Sequence, residues 1–341
     1  MKKIYAVVCM IILLAVISLV FIFINSNRNT KINTSNMNKT AENFSQRFCI
    51  NAGLNKTAIE YALNSGLRCF RTDISLNNKT EGFVANITKN GGTYLGILDY
   101  QTVGAQPSSK GCSSGCNWTL NTWNASIYNA LRAYPEVNEW EIYNEPLVGE
   151  FMSGYENGSA LNYFNMIKSA YTIIKKEEPN STIVCFGGAE LFPLNDVQVE
   201  YSFYRQVWSY GAGKYCNAIS IHAYALPYYS LSQYAYQNIT LKQVFNFTLM
   251  LYENLTNKPI WITETGMPSN NWIQGLNLSE QKQASFLNQE MLFFSSYPFV
   301  KRVYWYTLSG GTNAGADFGL LNASTLLPKP AWIAFEYFFK K

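Results

Sequence analysis

The sequence predicts an α/β fold: a single-domain (β/α)8 TIM barrel preceded by an N-terminal transmembrane or signal segment. Three observations carry that expectation. Eight short apolar runs alternate with eight amphipathic stretches, and strict alternation of strand and helix implies a parallel sheet. Of the 341 residues, about 295–300 remain after the N-terminal segment and a polar spacer, an ordinary size for one barrel. No Gly-x-Gly-x-x-Gly follows the first run, which removes the main cue for a dinucleotide-binding sheet.

The chain opens with Lys2 and Lys3 and an uncharged run from Ile4 to Ile24. About 20 apolar residues span a bilayer. No Ala-x-Ala-like cleavage site follows; the next residues are Asn25, Ser26, Asn27 and Arg28. Residues 1–24 therefore read as a signal anchor, with a removed signal peptide as the alternative. Either one exports the rest of the chain, so the expected location is extracellular, tethered to the cell membrane or secreted. Residues 25–42 are rich in Asn, Thr and Ser without periodicity and read as a flexible stalk. The barrel domain is assigned to 43–341.

Two further features agree with export. About fifteen Asn-x-Ser/Thr sequons are present, among them Asn38, Asn55, Asn78, Asn86, Asn117, Asn124, Asn157, Asn180, Asn246 and Asn322, a density that suggests a glycosylated surface. Cys9 lies in the apolar run, and the other six cysteines (Cys49, Cys69, Cys112, Cys116, Cys185, Cys216) are an even number, as a disulfide set would be. Cys112 and Cys116 are placed to staple one loop; the remaining pairing stays open.

The strand-like runs are 48–52, 68–74, 94–100, 139–146, 182–190, 218–224, 260–266 and 302–308. The helix-like stretches are 56–65, 76–89, 119–133, 159–177, 197–210, 240–254, 279–295 and 329–339. Ser279 is a plausible N-cap, and Asn90-Gly91-Gly92 and Glu178-Pro179-Asn180 stop helices ahead of the next strand. No internal repeat is visible. The net charge is only +4, with Lys and Arg scattered, so the chain lacks the basic face that nucleic-acid binding needs. Aromatics make up 16%, which suits both a core and a sugar-binding cleft.

Active sites of such barrels lie at the C-terminal ends of the strands. The polar residues there are Arg71 and Asp73 on the second strand, Asp99 on the third, Asn144 and Glu145 on the fourth, Glu190 on the fifth, His222 and Tyr224 on the sixth and Glu264 on the seventh, with Trp305 on the eighth. A charged residue beside an apolar run must face the mouth or be paired. Glu145 and Glu264 form the natural pair, on strands expected at opposite sides of the ring. Two facing carboxyls are what glycosidic-bond cleavage requires: one protonates the leaving oxygen, and the other attacks the anomeric carbon or activates water. Arg71 offers a fixed positive charge that keeps one carboxylate ionised.

These residues also carry a resemblance. Trp140-Glu141-Ile142-Tyr143-Asn144-Glu145-Pro146 resembles the fourth-strand Asn-Glu-Pro motif of clan A glycoside hydrolases, and Trp261-Ile262-Thr263-Glu264-Thr265-Gly266 resembles the clan's seventh-strand nucleophile motif. Arg71, the His222-x-Tyr224 pair and Trp305 match the clan pattern in strand order. The resemblance implies a retaining enzyme with Glu145 as general acid/base and Glu264 as nucleophile. It implies that Asn144 bonds the sugar 2-hydroxyl, that Arg71 and Tyr224 hold Glu264, and that Trp305 is the floor under the sugar. It implies no metal and no organic cofactor. The end of the third strand departs from the cellulase-like pattern, with Asp99-Tyr100 where a His is frequent. Glu264-Thr265-Gly266-Met267-Pro268-Ser269 is similar to a stretch of β-1,3-glucanases, while the Asn-Glu-Pro stretch is similar to cellulase-, mannanase- and xylosidase-like families.

The expected substrate is an extracellular β-linked polysaccharide, β-glucan or β-mannan foremost, with membrane contact through the N-terminal segment alone and a monomeric state. The alternatives are an exo-acting β-glycosidase on oligosaccharides and a non-catalytic glycan-binding surface protein. As the sole histidine, His222 is not expected to build a metal cluster. Glu190 and Asp99 are expected to support loops or line subsites, and Trp118, Trp123 and Trp272 to line the cleft or pack in the core. Arg71 has the plainer alternative of an ion pair with Asp73. Gly111-Cys112-Ser113-Ser114-Gly115 matches the serine-hydrolase elbow, but it lies in a polar loop without the flanking strand and helix that motif needs.

Overall fold

The computed structural model describes residues 46–53, 55–76, 81–103, 119–147, 160–226, 228, 230–236, 238–271, 277–310 and 315–340. The expected anchor (1–24), the stalk (25–42) and the Cys112–Cys116 staple lie outside these residues. No helix among the described residues is long and apolar enough to cross a membrane.

Strands β1 (Phe48–Asn51), β2 (Cys69–Asp73), β3 (Thr93–Leu98), β4 (Glu139–Ile142), β5 (Thr182–Glu190), β6 (Ala218–His222), β9 (Ile260–Thr265) and β10 (Val300–Tyr306) close a barrel in the order β1-β10-β9-β6-β5-β4-β3-β2. Every ladder is parallel. A two-stranded antiparallel ribbon, β7 (Tyr234–Tyr236) with β8 (Ile239–Thr240), is inserted after β6. The helices are α1 (Lys56–Asn64), α2 (Glu81–Lys89), α3 (Tyr100–Val103), α4 (Leu120–Ala133), α5 (Ala160–Glu177), α6 (Leu194–Ser209), α7 (Leu241–Thr256), α8 (Glu280–Ser295) and α9 (Pro330–Phe339). All eight predicted strands and all eight predicted helices are present. The short α3 and the β7–β8 ribbon were not anticipated, because neither is long enough to show a period.

Local chemistry sets the helix starts. Asn55 Oδ1 accepts from Ala58 N–H, and Ser279, as expected, accepts from Lys282 N–H. Thr119 with Thr122, and Thr240 with Gln243, form reciprocal capping boxes. Asn257 ends α7 in the left-handed region, which asparagine tolerates.

Strand alternation sorts side chains into two apolar groups. Cys49, Cys69, Leu95, Val184, Ala218, Trp261 and Tyr304 pack inside the ring. The larger group, with Trp140, Trp305 and Trp332, packs between ring and helices. At the N-terminal end of the bore Arg302 makes two 2.6 Å bonds to the Glu139 carboxylate and lies 4.5 Å from the Trp261 ring centroid. That geometry satisfies both charges, which an enclosed ion pair requires. Among the described residues two disulfides are formed. Cys49–Cys69 joins β1 to β2, and Cys185–Cys216 joins β5 to the turn before β6. Loops of 20 and 31 residues correspond to about 3 kcal/mol each by chain-entropy reasoning.

Candidate active site

A cavity of about 600 Å³ opens at the C-terminal ends of the strands. Arg71, Asn144, Glu145, Tyr224 and Glu264 all line it, so five of the seven predicted site residues meet there. His222 lies just beneath, fully buried.

Two bulges aim the glutamates. In β9, Ile262 pairs with Val303 but Thr265 pairs with Trp305, and on the other side Ile262 pairs with Ile221 but Glu264 with His222. One extra residue therefore sits in β9. Thr263 and Glu264 consequently break the alternation: the Thr263 hydroxyl bonds Ser220, while Glu264 reaches Arg71 and Tyr224. In β5 the register jumps between Cys185 and Ala189, and Phe186, Gly187 and Gly188 all have positive φ. This bulge carries Gly187 O to within 2.5 Å of Glu145 N. A Cβ at Gly187 would stand 1.9 Å from Tyr143 O, and one at Gly188 would stand 3.0 Å from Glu145 Cγ and 3.2 Å from His222 Nδ1. Glu145 itself has φ +47°, a conformation it holds because this hydrogen bond and close packing fix it.

Arg71 is the hub. Its Nε donates to Glu141 Oε2 (2.5 Å), Nη1 to Asn51 Oδ1 (2.7 Å) and Glu264 Oε1 (2.8 Å), and Nη2 to Asn144 Oδ1 (2.9 Å). Burial disfavours the guanidinium charge, but Glu141 and Glu264 outweigh it and raise its pKa. Glu264 Oε2 accepts from the Tyr224 hydroxyl at 2.6 Å. Burial pushes the Glu264 carboxyl up, yet His222, Arg71 and the Tyr224 hydroxyl together hold it below the ordinary glutamate value. His222 Nδ1 lies 3.0 Å from Glu145 Oε1, and its Nε2 lies 3.6 Å from Glu264 Oε1. Burial pulls the imidazole down, but the two carboxylates win and its pKa is raised. A carboxylate oxygen of Glu145, a ring nitrogen of His222 and a carboxylate oxygen of Glu264 all lie within 4.8 Å of one another.

The structure corrects several expectations. β4 and β9 do not face each other across the ring; β5 and β6 stand between them on one side, and that is what places His222 of β6 between the two glutamates. Trp305 is fully buried, with Nε1 donating to Phe318 O, so it forms no floor under a sugar. Tyr304 points into the bore and Tyr306 lines the cavity; alternation therefore turns Trp305 outward to the helices, and Tyr306 takes the position expected of it. Tyr306 packs edge-on with Phe318 and Tyr224. Trp123 is core, its indole N–H donating to Met166 O; Trp118 and Trp272 lie outside the described residues. Arg71 makes its ion pairs with Glu141 and Glu264, not with Asp73. Glu190 sits beside Glu200, whose Oε2 accepts Glu190 N–H at 2.6 Å.

Sequence reasoning missed Glu141, Asn51 and Tyr306. The signal for Glu141 was available: Glu139 and Glu141 alternate on an otherwise apolar strand and had to find cations inside the ring. The sole histidine, not expected from the sequence to build a metal cluster, converges with two glutamates. Both Glu264 oxygens already accept from Arg71 and Tyr224, and a fixed guanidinium at 2.8 Å competes with any cation there.

Comparison with known proteins agrees with the geometry. Residues 201–331 match the model of the glycosyl hydrolase catalytic core, a stretch that contains His222, Tyr224, Glu264 and Tyr306. That match, over 131 of the 341 residues, is to a glycosyl hydrolase catalytic core. Among solved structures it is similar to a GH128 subgroup I endo-β-1,3-glucanase from Amycolatopsis mediterranei in complex with laminaripentaose, at 14% identity, TM-score 0.53, covering 86% of this chain and 99% of that one. It is similar to a fungal β-1,4-galactanase at 16% identity, TM-score 0.60, covering 83% and 91%. It is also similar to a β-glucosidase from Exiguobacterium marinum at 12% identity, TM-score 0.57, covering 83% and 86%. At these identities the likeness is one of fold. No curated protein matches the chain.

Proposed function

We propose that this protein is a retaining β-glycanase that cleaves an extracellular β-linked polysaccharide by double displacement. The observation that carries the reading is the approach of Glu145 and Glu264 carboxylate oxygens to within 4.8 Å. Retaining enzymes hold their two carboxyls about 5–5.5 Å apart, whereas inverting ones leave about 6.5–9.5 Å for a water.

Glu264 is the nucleophile. Its depressed pKa keeps it ionised, and Arg71 and Tyr224 fix one oxygen each. Glu145 is the general acid/base: it protonates the departing glycosidic oxygen and then takes the proton from the water that hydrolyses the glycosyl-enzyme. His222 orients it through Nδ1. Asn144, its Oδ1 held by Arg71, turns its amide to the sugar 2-hydroxyl, and Tyr306 forms the aromatic wall. Solved neighbours described as endo-β-1,3-glucanases and β-1,4-galactanases favour β-glucan and β-galactan as first substrates to test. The two disulfides and the sequons support export, with residues 1–24 as anchor and 25–42 as stalk.

The test is release of reducing sugar from dyed β-glucan, β-galactan, mannan and xylan, with Glu264→Gln as control. Activity on at least one polymer, abolished in the variant, is expected. Identical behaviour of wild type and variant on every polymer overturns the proposal.

A further inference from the structure

Opposite the catalytic pair, the cavity wall carries two more carboxyls, Asp73 at the end of β2 and Asp99 just after β3. Asp99 is fully buried. Its Oδ1 accepts Gln101 N–H at 2.8 Å, while Oδ2 is buried with no donor from the protein. The Asp73 carboxyl lies near enough to that of Asp99 for each to act on the other electrostatically. Burial raises the Asp73 carboxyl against the pull of Arg71, with Glu264 adding to the rise, and burial together with Asp73 raises Asp99. The two carboxyls offer acceptors to sugar hydroxyls.

The rest of the wall sharpens the point. Among its described residues Arg71 is the one cation, and its bonds to Glu141, Asn51, Glu264 and Asn144 use all but one of a guanidinium's five donors. Among the described residues a sugar carboxylate entering here meets four carboxyl groups and a guanidinium with a single donor left.

We propose that Asp73 and Asp99 form a hydroxyl-gripping subsite that commits the enzyme to neutral glycans and excludes uronic-acid polymers. This rests on the reading of the cavity as the glycan site. It is tested with laminarin, β-1,4-galactan and β-mannan beside their C6-oxidised derivatives, in which the primary hydroxyl has become a carboxylate on the same backbone. The wild type is expected to cleave its neutral polymer with kcat/KM about 100-fold above the oxidised form, since like-charge juxtaposition is strongly disfavoured. Asp99→Asn and Asp73→Asn are expected to raise KM on the neutral polymer about tenfold with kcat within about twofold, the pattern for lost uniform binding. Comparable cleavage of neutral and oxidised polymers by the wild type overturns the inference and leaves the glycanase reading standing, as does an unchanged KM in both folded variants. Failure to cleave any polymer overturns both. The wild-type selectivity ratio keeps the test decisive if a variant does not fold.

Discussion

His222 Nδ1 stands 3.0 Å from Glu145 Oε1, and the other face of the same ring looks toward Glu264, 3.6 Å from Nε2. One buried imidazole therefore spaces the two carboxylates and is in turn held above its ordinary pKa by them. Replacing it with asparagine should lower kcat about 100-fold, because Glu145 then loses its only described side-chain partner and its fixed direction. Single-turnover kinetics on the cleaved polymer check this. A loss confined to KM would argue instead for a substrate-binding role.

The Tyr224 hydroxyl donates to Glu264 Oε2 at 2.6 Å. Donors to the charged form lower a carboxyl pKa, so Tyr224→Phe should raise that of Glu264 toward the ordinary value. The acidic limb of kcat/KM then moves to higher pH, and kcat falls by about tenfold. A pH–rate profile of the variant with an unmoved acidic limb contradicts the assignment.

Gly187 holds Glu145 from below. A methyl there would overlap Tyr143 O at 1.9 Å in a residue with φ +63°, so the β5 bulge must shift and break the bond from Glu145 N–H to Gly187 O. Gly187→Ala should destabilise the fold by about 2–4 kcal/mol, the scale of strain at such positions. It should also reduce kcat well beyond what the stability loss explains. Denaturant titration and kinetics on the same sample separate the two effects.

Burial pushes the Glu200 carboxyl up to about 8 against the pull of the Glu190 N–H and His222, with Glu145 and Asp196 adding to the rise. A folded-state pKa raised above the unfolded value of about 4.3 contributes stability that is full below that value and lost as pH rises toward the folded pKa. Glu200→Gln keeps an acceptor for Glu190 N–H and cannot ionise. Its melting temperature should gain on the wild type steadily between pH 5 and 8. A constant difference across that window refutes the assignment.

Much of the fold was readable in advance because helix and strand periods are local. The eight strand–helix units and the Ser279 cap are set by residues near one another in the chain. The site was readable where a polar side chain ends an apolar strand, as with Arg71, Asn144, Glu145, His222, Tyr224 and Glu264. It was not readable where alternation is broken or where a partner comes from another strand. Counting along β10 in steps of two would have selected Tyr306 over Trp305, but only once Tyr304 was known to face the bore.

The sequence alone thus determined the element order, the closed parallel ring it implies and the two glutamates at the rim, since these follow from short-range apolar spacing and side-chain type. Tertiary structure decided the rest. The extra residues in β5 and β9, the insertion of His222 between strands three places apart and the pairing of Arg71 with Glu141 exist only after the ring closes. Hydrogen-bond partners, burial and pKa depend on distances between residues that are remote in the chain, and no local pattern encodes those distances.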